Sequence, residues 1–319
     1  MIRFTLLALA ALTIHSSTFA QGWPARPVRL IANALPGGTV DQLARTVSSE
    51  FSRTFGRPFV VDHKAGANGD IAAEQLIVAP ADGHTFMVSS HGSFVINMHL
   101  RKQSFDPRTA FAPITPLAVT TLVLVVHPAV PARNLSELLG WLRSNSGKAS
   151  YASPGIGSSG HMAMALLIRQ ARVSASHVPY KTSAAVTVDL LGGNVQMMFD
   201  TSITALQHVR AGKLRAIAVA DLRRMSAAPD IPTIAESGFP GFETAPWYAL
   251  TARAGTPRDV VELLASEWSR VIAKPDIQER FAKIGVGLRA QAPEVFRDYI
   301  QQEYEKWGAI IRASKTKND

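Results

Sequence analysis

Short apolar runs alternate along this chain with stretches whose apolar residues recur every third or fourth position, the pattern of strand, glycine-bearing turn and helix repeated. Val28 to Ala32 suits a buried strand. After Gly37-Gly38, the positions Val40, Leu43, Ala44, Val47 and Phe51 line one helical face, with Thr39 and Gln42 fitting a capping box at its start. Phe59 to Asp62 is the next strand, Ala65-Gly66-Ala67-Asn68-Gly69 turns into a helix over Ile71 to Val78, and Thr85 to Val88 is a third strand ending at Ser89-Ser90-His91-Gly92-Ser93. The β-branched run Leu122 to Val126, closed by Pro128 and Pro131, marks the first crossing into a second block.

That block predicts a helix over Leu135 to Arg143, a strand at Ala149 to Ala152, the loop Ser153-Pro154-Gly155-Ile156-Gly157-Ser158-Ser159 and a helix over Gly160 to Ala171. His177 to Tyr180, a helix over Ala184 to Leu191, and strands Val195 to Phe199 and Leu214 to Ala220 follow. Proline and glycine cluster from Pro229 to Pro246, the mark of irregular chain. Trp247 to Thr251 reads as a returning strand, Thr256-Pro257-x-Asp259 as a helix start with cap, first-turn proline and early acid, and Pro293 to Ile311 as a long final helix that packs back on the first block. The expected fold is therefore α/β in two lobes, each a central, mostly parallel sheet flanked by helices, with a ligand cleft between them. Lobe 1 is placed at residues 21–124 plus 247–319, and lobe 2 at 125–246.

The amino end changes the setting. Arg3 precedes the apolar run Phe4 to Ile14, and small or polar residues continue to Ala20, so Met1 to Ala20 reads as a secretory signal for a protein exported to a bacterial periplasm. There are 0 cysteines, which excludes disulfides, thiolate metal sites and cysteine nucleophiles. The net charge of +9 is spread along the chain with no dense Lys/Arg cluster, which argues against nucleic-acid binding and for a general attraction to anions.

The chemistry concentrates at turns. Helix starts leave N–H groups without backbone acceptors, and an anionic oxygen placed there gains charge-assisted hydrogen bonds. The first turn offers Ala34, Leu35, Gly37, Gly38 and Thr39; the second offers Ser153, Gly157, Ser158 and Ser159. Each is also readable as a plain structural turn. Ser90 and Ser93, Thr182 and Ser183, and Asp200 lie where other strands end; Asp200 can receive an ammonium or hydroxyl from a ligand, or cap the segment after it. Phe94, Trp247 and Tyr248 are candidates for an apolar wall or for core. Ser158 or Ser159 with His161 admits an exported Ser-His hydrolase, but no orienting acid, Gly-x-Ser-x-Gly elbow or His-Glu-x-x-His motif accompanies them. Neither glycine stretch matches a nucleotide P-loop or a dinucleotide fingerprint, and no cofactor or metal is expected.

Several ordered motifs then coincide. They are Trp23-Pro24 with Pro27-Val28, Leu35-Pro36-Gly37-Gly38-Thr39-Val40-Asp41 with Ala44-Arg45, Ala65-Gly66-Ala67-Asn68-Gly69, Asp82-Gly83, Tyr151 to Ser158, Val178-Pro179-Tyr180-Lys181, Gly212 to Ala218, Pro229 to Glu236, and Gly255-Thr256-Pro257. Over nearly the whole mature length the chain resembles the Bug-type periplasmic solute receptors of tripartite tricarboxylate transporters. The resemblance implies a type II-like, two-lobed binding protein that closes on an organic carboxylate and delivers it to a permease with a large and a small integral-membrane subunit. It also implies that the turns Ala34 to Thr39 and Ser153 to Ser159 clasp carboxylate oxygens, partly through ordered water, while Ser90 to Ser93, Thr182 to Ser183 and Asp200 complete the pocket. Dicarboxylates, acidic amino acids, aromatic acids and nicotinate-like acids occur among family ligands. The expected receptor is a monomer; a carboxylate receptor serving a signalling sensor is the alternative partnership. Asn33-Ala34 stands where the family commonly has proline then phenylalanine, and Lys64-Ala65 and Asn68 where it has Arg-Pro and glycine. Phe94 is a candidate replacement for the missing aromatic cover.

Overall fold

The computed structural model describes residues 22–314; the candidate signal Met1 to Ala20 and the tail lysines Lys315 and Lys317 lie outside the described residues. β1 (Val28–Ala32), β2 (Phe59–His63) and β3 (Thr85–Ser90) run parallel, joined through α1 (Thr39–Phe55) and α2 (Asp70–Ile77). A π-helical turn at Gly92–Ile96 and two short helices, α3 (Asn97–Leu100) and α4 (Pro107–Ala110), lead into β4 (Phe111–Thr120). After Thr121 the chain enters a second sheet as β5 (Leu122–Val126). There it forms α5 (Leu135–Ser144), β6 (Ser150–Ser153), α6 (Ser159–Ala171), β7 (Ser176–Pro179), α7 (Ser183–Leu191), β8 (Met197–Thr201), α8 (Ser202–Arg210) and β9 (Arg215–Val219). Irregular chain returns it to the first sheet as β10 (Trp247–Arg253), followed by α9 (Arg258–Ile272), α10 (Pro275–Ala282), β11 (Val286–Leu288) and α11 (Pro293–Ser314).

The strand orders are β11-β4-β10-β3-β1-β2 and β7-β6-β8-β5-β9. Both sheets are mixed, where a mostly parallel arrangement was expected. The parallel pairs come from strand-helix-strand crossovers, β1 with β2 and β3, and β6 with β7 and β8. The antiparallel pairs come from the passage between sheets: β4 leads out of the first sheet and β10 leads back in beside it, while β5 enters the second and β9 leaves it.

Each sheet is covered on both faces. Leu30, Phe86, Val88 and Leu250 pack beneath α1 and α9, whereas Ile31, Met87 and Trp247 point the other way toward α2 and Phe296 and Trp307 of α11. In the second sheet Leu122, Leu124 and Val126 meet α5 and α6, and Val123 and Val125 join α7 and α8 residues. A strand buried on both faces loses the apolar-polar alternation, which is why Leu122–Val126 is apolar throughout. Among the described residues no helix is long and apolar enough to cross a membrane.

Two helix starts differ from expectation. Gly38, without a side chain, occupies the N-cap of α1, so Thr39 is the first helical residue and makes no capping box. Pro257 sits at the N-cap of α9 rather than in its first turn, and the Thr256 hydroxyl donates to Arg253 O at 2.8 Å.

Candidate functional site

In open α/β sheets, ligands bind outside the carboxyl ends of the strands, where loops lead into helix amino ends. The polar and glycine candidates stand at such ends, whereas Trp247 and Tyr248 open β10 at its amino end. Ala34 to Thr39 follow β1, Ser90 ends β3 and Ser93 follows it, Ser153 ends β6 with the loop to Ser159 after it, Thr182 and Ser183 follow β7, and Asp200 is the penultimate residue of β8. The two sets of ends meet. Asn68 Nδ2 donates to Gly157 O at 3.0 Å, and Ser159 Oγ lies 3.4 Å from His91 Nδ1, each contact joining the first-sheet half to the second-sheet half.

The first glycine turn is held from behind. The Gly37 N–H donates to Asp41 Oδ2 at 3.0 Å, and the same carboxylate receives Arg45 Nε and faces His63 Nε2 at 2.8 Å. Burial opposes ionisation of Asp41, but the hydrogen bonds from Arg45, Gly37 and His63 hold it below the usual carboxylate range. With Gly37 occupied, the N–H groups of Gly38, Thr39 and Val40 meet no acceptor among the described residues. No heavy atom stands within 4 Å of where a Cβ on Gly37 or Gly38 would lie, so these amides are approachable. Thr39 Oγ1 is buried and has no partner in hydrogen-bonding geometry among the described residues. Asn33 Nδ2 reaches the Ser90 and Ser93 hydroxyls, both at 3.4 Å, and Ser93 Oγ donates to Ser90 O, which knits this end of β1 to that of β3.

The second turn is built around two histidines. Ser153 is fully buried, its Oγ 2.7 Å from His177 Nε2 and donating to Gly155 O at 3.0 Å, so this hydroxyl shapes the loop from beneath. His161 and His177 stack with centroids 4.0 Å apart, and the Gly157 N–H donates to His161 Nδ1. Burial, with repulsion from His177 second, lowers the His161 pKa to about 3. A ring that is neutral and already accepting a backbone proton on Nδ1 is not available as the base for Ser158, whose Oγ instead caps α6 by accepting the His161 backbone N–H at 3.4 Å. The Ser158-His161 hydrolase arrangement is therefore not formed. Ser159 and Gly160 at the start of α6 keep N–H groups without acceptors among the described residues. Thr182 Oγ1 caps α7 by accepting from Ala185 N at 3.2 Å, and Ser183 begins that helix exposed.

Asp200 is buried and accepts the Thr201 N–H at 2.8 Å; burial pushes its pKa up to about 6 against the hydrogen bonds from Thr204 and Thr201. Tyr248 lies beside Thr39 and within electrostatic reach of Asp200; burial pushes its phenol up to about 12 against the opposing pull of Thr39, with Asp200 adding a smaller upward push. Phe94 and Trp247, in contrast, are core: their rings lie 5.9 Å apart in the layer under α11, so Phe94 does not replace the missing cover. Sequence reading missed Asn97, whose buried carboxamide donates to Asp70 Oδ1 at 2.6 Å and to Asn68 O at 3.2 Å, and it placed His91 in the turn after β3 without its burial against Trp247 and Trp307. Neither belongs to a spacing pattern that marks it. Among the described residues no group of three or more His, Cys, Asp or Glu is placed to hold a metal ion.

Two sheets bridged by crossing strands, with unpaired helix-start amides on both sides of their junction, define a two-lobed solute-binding protein. The model of the tripartite tricarboxylate transporter family receptor matches residues 43–315, and the chain belongs to that family. Its members are binding receptors, not enzymes. A relative from Pseudomonas sp. (strain P51), the UPF0065 protein in the tcbD-tcbE intergenic region, is 38% identical, with 97% of this chain and 93% of the relative covered. The structure of Rpa4515 from R. palustris with adipate superposes with a TM-score of 0.88 at 30% identity, covering 92% of this chain and 98% of that one. The structure of the periplasmic binding protein BugD superposes at 0.87 and 31% identity, covering 93% and 100%.

Proposed function

We propose that this protein captures a small organic carboxylate between its lobes in the periplasm and, as a monomer, hands it to the large and small integral-membrane subunits of a tripartite permease. The observation that carries the reading is the set of acceptor-free N–H groups at Gly38, Thr39, Val40, Ser159 and Gly160, contributed by helix starts from both lobes. Ligand bridging both sets favours the closed form, because only that form makes both groups of contacts. Ala34 and Leu35 complete the first turn, Ser158 the second, and Gly37, Gly157, Ser93 and Ser153 hold the backbone in shape behind them. Ser90, Thr182, Ser183 and Asp200 form the far wall that decides which acid fits. Adipate in the R. palustris relative is consistent with a carboxylate cargo. Titration calorimetry against adipate, citrate, malate, glutamate, terephthalate and nicotinate tests this: at least one acid binds, and folded protein that binds none contradicts it.

A further inference from the structure

Among the described residues, the turn after β2 carries the one direct hydrogen bond from a side chain of the first-sheet half to the backbone of the second glycine turn. Asn68 stands at φ 50° and ψ 37°, a left-handed conformation that glycine adopts freely and asparagine tolerates. Its carboxamide nitrogen spends its two N–H groups in two directions, toward Asn97 Oδ1 at 2.7 Å and toward Gly157 O at 3.0 Å. The Asn68 end is rigid. Asn97 returns a hydrogen bond to Asn68 O and holds Asp70, Asp70 pairs with Arg101, and Arg101 also donates to the Ala67 carbonyl. The receiving end fits closely: a Cβ on Gly157 would stand 2.6 Å from Leu100 Cδ1 and 3.3 Å from Asn68 Nδ2.

From this geometry we infer that Asn68 is an interlobe clasp, a positioning residue that fastens the second glycine turn to the first lobe without any ligand. It makes the closed arrangement a populated state of the empty protein. Replacing its side chain by hydrogen leaves a residue suited to φ 50°, so the clasp is removable without straining the turn. A neutral hydrogen bond of this kind corresponds to about a fivefold change in the closed-to-open ratio. Because apparent affinity scales with the fraction of binding-competent protein, the same factor carries into ligand binding if the receptor reading holds.

The test is read on ligand-free protein. With 0 native cysteines, nitroxides are placed through Val78→Cys and Val188→Cys, exposed positions just after α2 and on α7, and the interlobe distance distribution is recorded by pulsed electron spin resonance. The labelled protein is expected to show a closed-distance population that Asn68→Gly reduces about fivefold relative to the open one. Circular dichroism establishes that each variant is folded. A ligand-free parent with only the open distance, or Asn68→Gly with an unchanged closed share, overturns the clasp. Loss of the closed share in Asn68→Gly from a protein that binds none of the acids in the calorimetric series would leave the clasp standing and refute the carboxylate reading alone.

Discussion

Thr39→Val separates the contribution of one hydroxyl to binding from its effect on folding, because the account gives the two effects different signs. Threonine and valine share shape and β-branching, so the first turn of α1 keeps its packing. In the empty protein Thr39 Oγ1 is buried with the Tyr248 phenol beside it but no partner in hydrogen-bonding geometry, a state that costs up to about 1–3 kcal/mol for an unsatisfied polar group. A methyl in its place removes that penalty, so Thr39→Val is expected to be as stable as the parent or more stable by up to about that amount in urea unfolding. A ligand carboxylate supplies the missing partner. A hydrogen bond to a charged group contributes about 1.5–3 kcal/mol, so the variant should bind the acid about 10- to 150-fold more weakly by calorimetry. Equal affinity within about twofold in a folded variant would show that this hydroxyl does not meet the ligand, and the assignment of the α1 start as a carboxylate seat would fail at its best-defined atom.

Asp200 gives a pH signature. Its folded pKa of about 6 lies above the ordinary 3.8, so its contribution to stability is fully present below pH 3.8 and is lost as pH rises through 6. Asp200→Asn should therefore flatten that part of the stability profile and gain on the order of 3 kcal/mol relative to the parent at pH 8; parallel urea-unfolding profiles from pH 4 to 8 would refute it. His161 acts in the opposite sense, since burial depresses its pKa to about 3: its contribution is present above pH 6.5 and lost as pH falls toward 3. His161→Phe should lower the acid-unfolding midpoint followed by circular dichroism, and an unchanged midpoint would contradict a buried neutral ring. Gly160→Ala drives a Cβ into the Phe199 carbonyl beneath α6, a backbone atom that cannot rotate away. A loss of about 1–3 kcal/mol by calorimetric unfolding is expected, and no loss would show that α6 is not packed tightly on β8.

The placement of the candidate turns was legible because it obeys a rule of local order: each glycine- or serine-bearing turn follows an apolar run and precedes a helical period, so its residues fall at strand carboxyl ends. What sequence could not supply was the direction of each side chain. Ser153 and Phe94 sit in those turns, yet one faces His177 and the other the core, because strand and helix packing decide the orientation. β4 escaped notice since Pro113 and Pro116 interrupt the apolar run of a strand that pairs with β10 along most of its length and with β11 only at its end. Asn68 was visible only as a departure from a glycine; its bond to Gly157 crosses 89 positions and has no signature in local spacing.

A crystal structure of the protein with the acid that binds tightest in calorimetry decides whether helix-start amides from both lobes grip the ligand. The account predicts a carboxylate oxygen within hydrogen-bonding distance, directly or through one ordered water, of N–H groups at Gly38 to Val40 and at Ser159 or Gly160. An acid bound elsewhere, with both helix starts covered by packed side chains, would contradict it.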